Sequence, residues 1–302
     1  MTLRTAVKSM RLRTLPLSLA GVILGILLAV ADYRVDPWVA VLIMLTTVCL
    51  QILSNLSNEL GDVLHGTDTA DRQGPGYGLN SGEMTIPQMK RLIGLFVVLC
   101  ILSGLAMIAV SYGTLLSLDA ICLMMLGAGA IAGAMKYTLG RNPYGYRGLG
   151  DLFVFLFFGL VSVLGSYFVA SHAVPHPYLF LPASAIGCFS VGVLNVNNIR
   201  DMKTDAENRV TVAIRLGLKR ARIYQTVLIV LGWALLLTYC LLRFQDPLHY
   251  LFVLTLPLYV KHLMGVWTRT DRALDPMLPL LVMATFLLSL LMGFGFTAFL
   301  LF

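Results

Sequence analysis

Residues 38–62 read WVAVLIMLTTVCLQILSNLSNELGD. The first half is apolar but for Thr46-Thr47, and the second half fills with amides and acids: Gln51, Asn55, Asn58, Glu59 and Asp62. About 20 apolar residues cross the hydrocarbon core of a bilayer, so the run predicts a membrane span over 38–57. Asn55, Asn58 and Asp62 fall at i, i+3 and i+7, which is one face of a helix, and Gln51 extends that face upward. Polar groups in such a place are costly in lipid, so they are the first candidates for function.

The rest of the chain agrees. It has 302 residues, 58% hydrophobic and 12% charged, with a mean hydropathy of +0.83. Soluble globular domains carry roughly 25% charged residues. These values exclude an ordinary water-soluble protein, a disordered chain and a collagen-like one. Apolar runs predict nine spans, near 14–31, 38–57, 92–112, 118–138, 151–171, 178–199, 223–243, 248–267 and 277–302. The expected architecture is an all-α integral membrane protein, one helical bundle over 1–302 as a single domain. The cysteines (Cys49, Cys100, Cys122, Cys188, Cys240) each lie in an apolar run with no metal spacing. They read as small buried hydrophobes.

The net charge is +7. Of the 22 Lys and Arg residues, 19 lie in the N-terminal segment or in four longer polar loops, 58–91, 139–150, 200–222 and 268–276, counting Lys136 as the flank of the second. Arg34 and Arg243 lie on the other side, and Lys261 stands inside the eighth span. The positive-inside rule then predicts a cytoplasmic N-terminus, four cytoplasmic loops and a C-terminus outside. A basic balance built this way points to topology and phosphate chemistry, not to nucleic acid. Arg4 to Arg13, the first apolar run and Ala29-Val30-Ala31 also have the form of a signal peptide. A chain with eight further spans needs no cleavage to insert, so the run is expected to remain as a span.

A second polar cluster ends the sixth span: Asn195, Asn197, Asn198, Arg200, Asp201, Lys203 and Asp205, followed by Asn208-Arg209. Asn197, Asp201 and Asp205 share a face at i, i+4 and i+8, and Asn198 with the two aspartates nearly shares it. The first loop is acid-rich too, with Glu59, Asp62, Asp68, Asp71 and Glu83 among the chain's 15 acids. Both clusters stand at span ends on one predicted side. Hard divalent cations take oxygen ligands, and Mg²⁺ is typically held by one or two carboxylates plus substrate phosphate. Arg72, Arg200, Lys203 and Arg209 suit the remaining phosphate charge. The combination reads as a Mg²⁺-bridged diphosphate site opening into an apolar chamber, with a lipid diphosphate as substrate. A solvated loop with helix caps is the bland alternative for either cluster alone.

A third segment, Lys136 to Asp151, holds Tyr137, Tyr144, Tyr146, Arg141 and Arg147 among glycines and a proline. Gly and Pro mark an irregular connection. Its tyrosines and cations suit an aromatic acid, and an interfacial tyrosine belt accounts for them equally well.

Taken together, these motifs resemble the UbiA-type intramembrane prenyltransferase superfamily. The matching positions are Asn55, Asn58-Glu59, Asp62, Gly66, Asp68, Asp71-Arg72 and Gly74-Pro75. They continue in Asn197-Asn198-Ile199-Arg200-Asp201 with Asp205, then Thr211, Ala213 and Leu216-Gly217. Tyr137-Thr138, Pro143 to Gly150 and Arg13-Thr14-Leu15-Pro16 complete the set. Within the superfamily, the pattern is most similar to the branch that prenylates 1,4-dihydroxy-2-naphthoate in menaquinone biosynthesis. Glu59 stands where the family usually has Asp, Asn208-Arg209 where it has Gly-Lys, and Asn142 where a basic residue is common.

The resemblance implies a bacterial inner-membrane enzyme with its active site facing the cytoplasm and Mg²⁺ as cofactor. Its partners would be a long-chain prenyl diphosphate, an aromatic acid acceptor and the lipid bilayer. It places catalysis on Asn55, Asn58, Asp62, Asp201 and Asp205. Metal contacts would come from Asn58, Glu59, Asp62, Asp68, Asp71, Asn198, Asp201 and Asp205. Diphosphate contacts would come from Arg72, Lys136, Arg200, Lys203 and Arg209, and acceptor contacts from Tyr137, Arg141 and Tyr146. Two readings stay open beside it: another acceptor, such as 4-hydroxybenzoate or homogentisate, and a secondary transporter, which also places Asn and Asp at helix breaks.

Overall fold

A computed structural model describes residues 2–66, 76–206 and 209–300. Among them the regular structure is helical, apart from one isolated parallel bridge between Arg147 and Val210. A short helix α1 (Leu3–Met10) precedes the long ones. These are α2 (Leu15–Asp32), α3 (Pro37–Leu64), α4 (Ile86–Tyr112) and α5 (Leu118–Lys136). They continue as α6 (Gly150–Ser171), α7 (Pro177–Arg200), α8 (Val212–Leu242), α9 (Pro247–Thr268) and α10 (Met277–Thr297). Among the described residues nine helices are long and apolar enough to cross a membrane, the first counted with α1 attached.

Local chemistry sets their ends. Asp36 caps α3 by accepting the Trp38 amide, with Pro37 at the first position. Thr85 and Gln88 form a capping box that starts α4 at Ile86, ahead of the 92 expected from hydropathy. For the same reason α3 runs on to Leu64: hydropathy ends where lipid ends, but the helix does not. α8 begins at Val212, not 223, and breaks at Gly217, whose φ of 73° only glycine adopts readily. The basic N-terminal flank is not irregular. It forms α1, turned into α2 by Arg11 in the left-handed region at φ 51°.

Two cores flank a hollow. The larger joins α2, α6, α7, α8, α9 and α10 through Leu24, Phe189, Tyr259 and Leu288. The smaller joins α1, α3 and α4 through Leu53, Leu56, Met89 and Phe96. Within α6, Phe155–Gly165 winds as a π-helix. It meets α7 at a glycine pair: a Cβ on Gly159 would stand 2.6 Å from the Gly187 Cα. Small residues at such crossings let backbones approach where lipid supplies no hydrophobic drive. The widened turns of α6 then present Phe157, Phe158 and Val161 to the space between α6 and α5.

Candidate active site

Three segments meet at one end of the bundle. The last turns of α3 bring Asn55, Asn58 and Asp62. The loop between α5 and α6 brings Tyr137, Thr138, Tyr144 and Tyr146. The end of α7, with a one-turn helix at Met202–Asp205, brings Asn197, Asp201, Asp205 and then Arg209. Asp201 N donates to Asn197 O and Asp205 N to Asp201 O, so the second motif keeps its i, i+4 spacing across the helix end.

Asp62 and Asp205 come from different motifs and share one cation. Arg209 Nη2 lies 3.8 Å from Asp62 Oδ1, and Nε lies 3.2 Å from Asp205 Oδ1. Nε makes a charge contact with no aligned hydrogen bond. Burial alone lowers the affinity of Arg209 for its proton, but the charges of Asp62 and Asp205 outweigh it and raise its pKa. The Tyr146 phenol donates to Asp62 Oδ1 at 2.7 Å, and its ring lies under the Arg209 guanidinium, 5.4 Å away. The Tyr146 carbonyl accepts the Val210 amide at 3.0 Å, fastening the third segment to the second motif.

The other expected residues divide. Asn58 Oδ1 accepts from Thr138 at 3.2 Å, and Asn58 faces the hollow. Asn55 is buried and ties α3 to the α1–α2 turn, donating to Met10 O and Thr14 Oγ1, both at 2.9 Å. Tyr137 lines the hollow; burial pushes its phenol up, so it stays a donor at neutral pH. Asn198 is buried, and Asn195 is bound to Ala221 O and Gln225. Arg200 is buried and fully engaged. Nε and Nη2 grip Asp201 at 2.8 and 2.6 Å, Nη1 holds Asp275 at 2.7 Å, and Nη2 also reaches Asn197 Oδ1 at 2.8 Å. Lys203 pairs with Asp271 at 3.0 Å on the surface. Glu59 is buried, and Oε1 accepts the Leu79 amide at 2.7 Å. Lys136 and Arg141 are exposed beside the loop. Asp68, Asp71 and Arg72 lie outside the described residues.

Other contributors take their places only through the fold. His65 bridges the carbonyls of Gly61 (Nδ1, 2.9 Å) and Gly140 (Nε2, 3.1 Å), and its ring meets Tyr146 edge-on. Tyr144 donates to Gly133 O at 2.7 Å and stacks on Phe153; burial pushes its phenol up to about 12. Arg11 lies 3.9 Å over the Tyr77 ring, while Arg13 donates to the Tyr77 hydroxyl. Only pairing across distant segments gives these residues their places.

From Asn58 the hollow runs between α5 and α6 to Met107 and Val169, with a volume of about 380 Å³. Its walls are mostly apolar, including Leu126, Phe157 and Val161, with Thr46, Thr47 and Ser162 among the polar exceptions. Among the described residues no three acids, histidines or cysteines converge to cage a metal unaided. The donor set does fit a hard divalent cation shared with a diphosphate, which needs only one or two protein carboxylates. Asp62 and Asp205 are already turned toward one positive charge.

Comparison with known proteins agrees with this geometry. Residues 18–278 match the UbiA prenyltransferase family. The 1,4-dihydroxy-2-naphthoate octaprenyltransferase of Escherichia coli is 42% identical over 290 residues, covering 95% of this chain and 93% of that one. Among solved structures, a UbiA homolog from Aeropyrum pernix in its apo form superposes with a TM-score of 0.71 at 18% identity, covering 96% of this chain and 99% of that one. A UbiA homolog from Archaeoglobus fulgidus bound to GPP and Mg²⁺ gives 0.61 at 15% identity, covering 95% and 99%. With the helical bundle, the two acid clusters at one end and a match across most of its length, this chain belongs to the UbiA prenyltransferase family.

Proposed function

We propose that the protein transfers a polyprenyl group from a prenyl diphosphate to 1,4-dihydroxy-2-naphthoate, releasing CO₂ and pyrophosphate and giving demethylmenaquinol. The observation that carries this is the opposition of Asp62 and Asp205 across Arg209, one helical turn from Asn58 at the start of an apolar chamber. A diphosphate fits the charged end and an isoprenoid tail fits the chamber. The naphthoate acceptor rests on the Escherichia coli relative, and Mg²⁺ on the Archaeoglobus fulgidus homolog bound to GPP and Mg²⁺. The site faces the cytoplasm in this reading, because the basic loops surround it.

Asp62, Asp205 and Asn58 would hold the metal, with Asp201 fixed beside them by Arg200. Mg²⁺, when bound, supplies charge stabilisation for the departing pyrophosphate. Arg209 moves its guanidinium from the carboxylates onto the diphosphate, and Lys203 and Lys136 add charge at the mouth. Tyr146 orients Asp62. The allylic C–O bond breaks, its electrons leave with pyrophosphate, and the dry chamber wall keeps water from the allylic cation. The acceptor, placed by the Tyr137–Arg141 loop, attacks through the ring carbon bearing its carboxylate. The C–CO₂ bond then returns its electron pair to the ring, so no ring proton need be removed.

One incubation tests the proposal. Purified protein in detergent receives Mg²⁺, a long-chain prenyl diphosphate and a mixture of 1,4-dihydroxy-2-naphthoate, 4-hydroxybenzoate and homogentisate, and mass spectrometry reads the products. A prenylated naphthoquinol lacking the carboxylate, formed only without EDTA, is expected. Prenylation of a different ring overturns the acceptor assignment, and no product from any acceptor overturns the enzymatic reading.

A further inference from the structure

Lys261 stands alone in the apolar length of α9 and is exposed on the outside of the bundle. Thr268 ends α9, so Lys261 sits roughly 10 Å below that end at 1.5 Å of rise per residue. The end is on the active-site face, because the connection that follows carries Asp271 and Asp275, partners of Lys203 and Arg200. Beside Lys261 runs a groove of about 550 Å³ between α9 and the start of α10, lined by Leu256, Pro257, Val260, Met264, Gly265 and Met277. Arg269 closes its upper end. Lys261, Gly265 and Arg269 fall at i, i+4 and i+8, one face of the helix. Gly265 leaves room for the Met277 side chain to pack on the bare backbone of α9, and the two together form the floor.

We propose that this groove binds an anionic phospholipid of the leaflet on the active-site face. Its phosphodiester would lie between Lys261 and Arg269, with an acyl chain along the floor at Gly265. Three observations support this occupant. The first is unmatched charge. Both carboxylates of the adjoining connection are taken, Asp271 by Lys203 and Asp275 by Arg200. Among the described residues Lys261 has no ion pair, and the Arg269 side chain has only a 3.5 Å contact to Ala273 O. The second is direction. A helical Cα–Cβ bond leans toward the helix N-terminus, which for α9 is deeper in the bilayer. Lys261 therefore reaches the interface poorly on its own, and a phosphate drawn into the groove shortens the distance. The third is the held mouth: Arg222 Nη2 donates to Arg269 O at 2.7 Å, bringing another cation there. A zwitterionic headgroup would set its own ammonium among these cations, whereas an anionic one neutralises them.

The test uses the full-length protein in nanodiscs of mixed phosphatidylglycerol and phosphatidylcholine, with retained lipid read by native mass spectrometry after stepwise delipidation. Wild type should retain phosphatidylglycerol over phosphatidylcholine by roughly tenfold. Lys261→Ala combined with Arg269→Ala should erase that preference, with prenyl transfer in excess detergent unchanged. Lys219→Ala combined with Arg220→Ala, two exposed cations elsewhere on the same face, should leave the preference intact. Equal retention of both lipids by wild type overturns the proposal. So does an undiminished preference in the Lys261/Arg269 variant, or an equal loss in the Lys219/Arg220 variant, which would show only a general charge effect.

Discussion

The phenol of Tyr146 donates to the carboxylate of Asp62 at 2.7 Å, joining residues 84 positions apart in the chain. The same tyrosine takes the Val210 amide on its carbonyl, so it aligns one acid motif against the other. Tyr146→Phe deletes only the hydroxyl. A hydrogen bond to a charged group contributes about 2 kcal/mol, so kcat should fall by about thirtyfold, with a raised Mg²⁺ requirement and a nearly unchanged melting temperature. Steady-state kinetics at varied Mg²⁺ reads this; wild-type turnover would remove Tyr146 from the alignment of Asp62.

The aspartates should fail in different ways. Asp62→Ala and Asp205→Ala are expected to lower turnover by about a thousandfold, while the protein remains folded in detergent. Asp201→Ala strips the buried Arg200 of its bidentate partner. Breaking a buried pair on one side costs about 3–5 kcal/mol, so this variant should also lose thermal stability. A melting curve for Asp201→Ala matching that of Asp62→Ala would contradict the anchoring of Arg200 through Asp201.

The Glu59 side chain is one methylene longer than an aspartate's, and that length lets Oε1 reach the Leu79 amide at 2.7 Å. Glu59→Asp should leave the amide unpaired at a cost of about 1–3 kcal/mol. Faster proteolysis of the 76–84 segment is expected, with an unchanged Mg²⁺ requirement for turnover. A shifted Mg²⁺ requirement with unchanged proteolysis would instead make Glu59 a ligand.

Gly127 lines the chamber, and a Cβ there would meet nothing within 4 Å. Gly127→Phe should therefore fold normally and fill part of the 380 Å³. Given a mixture of prenyl diphosphates of different lengths, it should shift products toward shorter chains. An unaltered product distribution would place the tail elsewhere.

The sequence was informative where one segment decides the outcome. Asn55, Asn58 and Asp62 keep the shared face that their spacing predicts, because a helix fixes that geometry locally. It was silent where distant segments decide. Arg200 reads as a phosphate cation among aspartates, yet its guanidinium also holds Asp275, 75 positions on, in a connection that no motif marks. His65 is bound to Gly61 one turn back on α3, but its second carbonyl belongs to Gly140 in the α5–α6 loop, 75 positions on. The π-wound turns of α6 are invisible for another reason. Phe155–Gly165 is apolar all round, so periodicity has nothing to contrast, and the winding follows from close packing on Gly187.

Arg209 between Asp62 and Asp205 has a consequence for the order of ligand binding. On the proposed reading, a bare divalent ion arriving first would displace the guanidinium from both carboxylates and bring no anion in exchange. A metal–diphosphate pair brings that anion along, so carboxylates and guanidinium trade counter-ions in one concerted swap and no charge is stranded in a dry site. The resting site would thereby disfavour stray cations, and would take up a metal as part of the substrate.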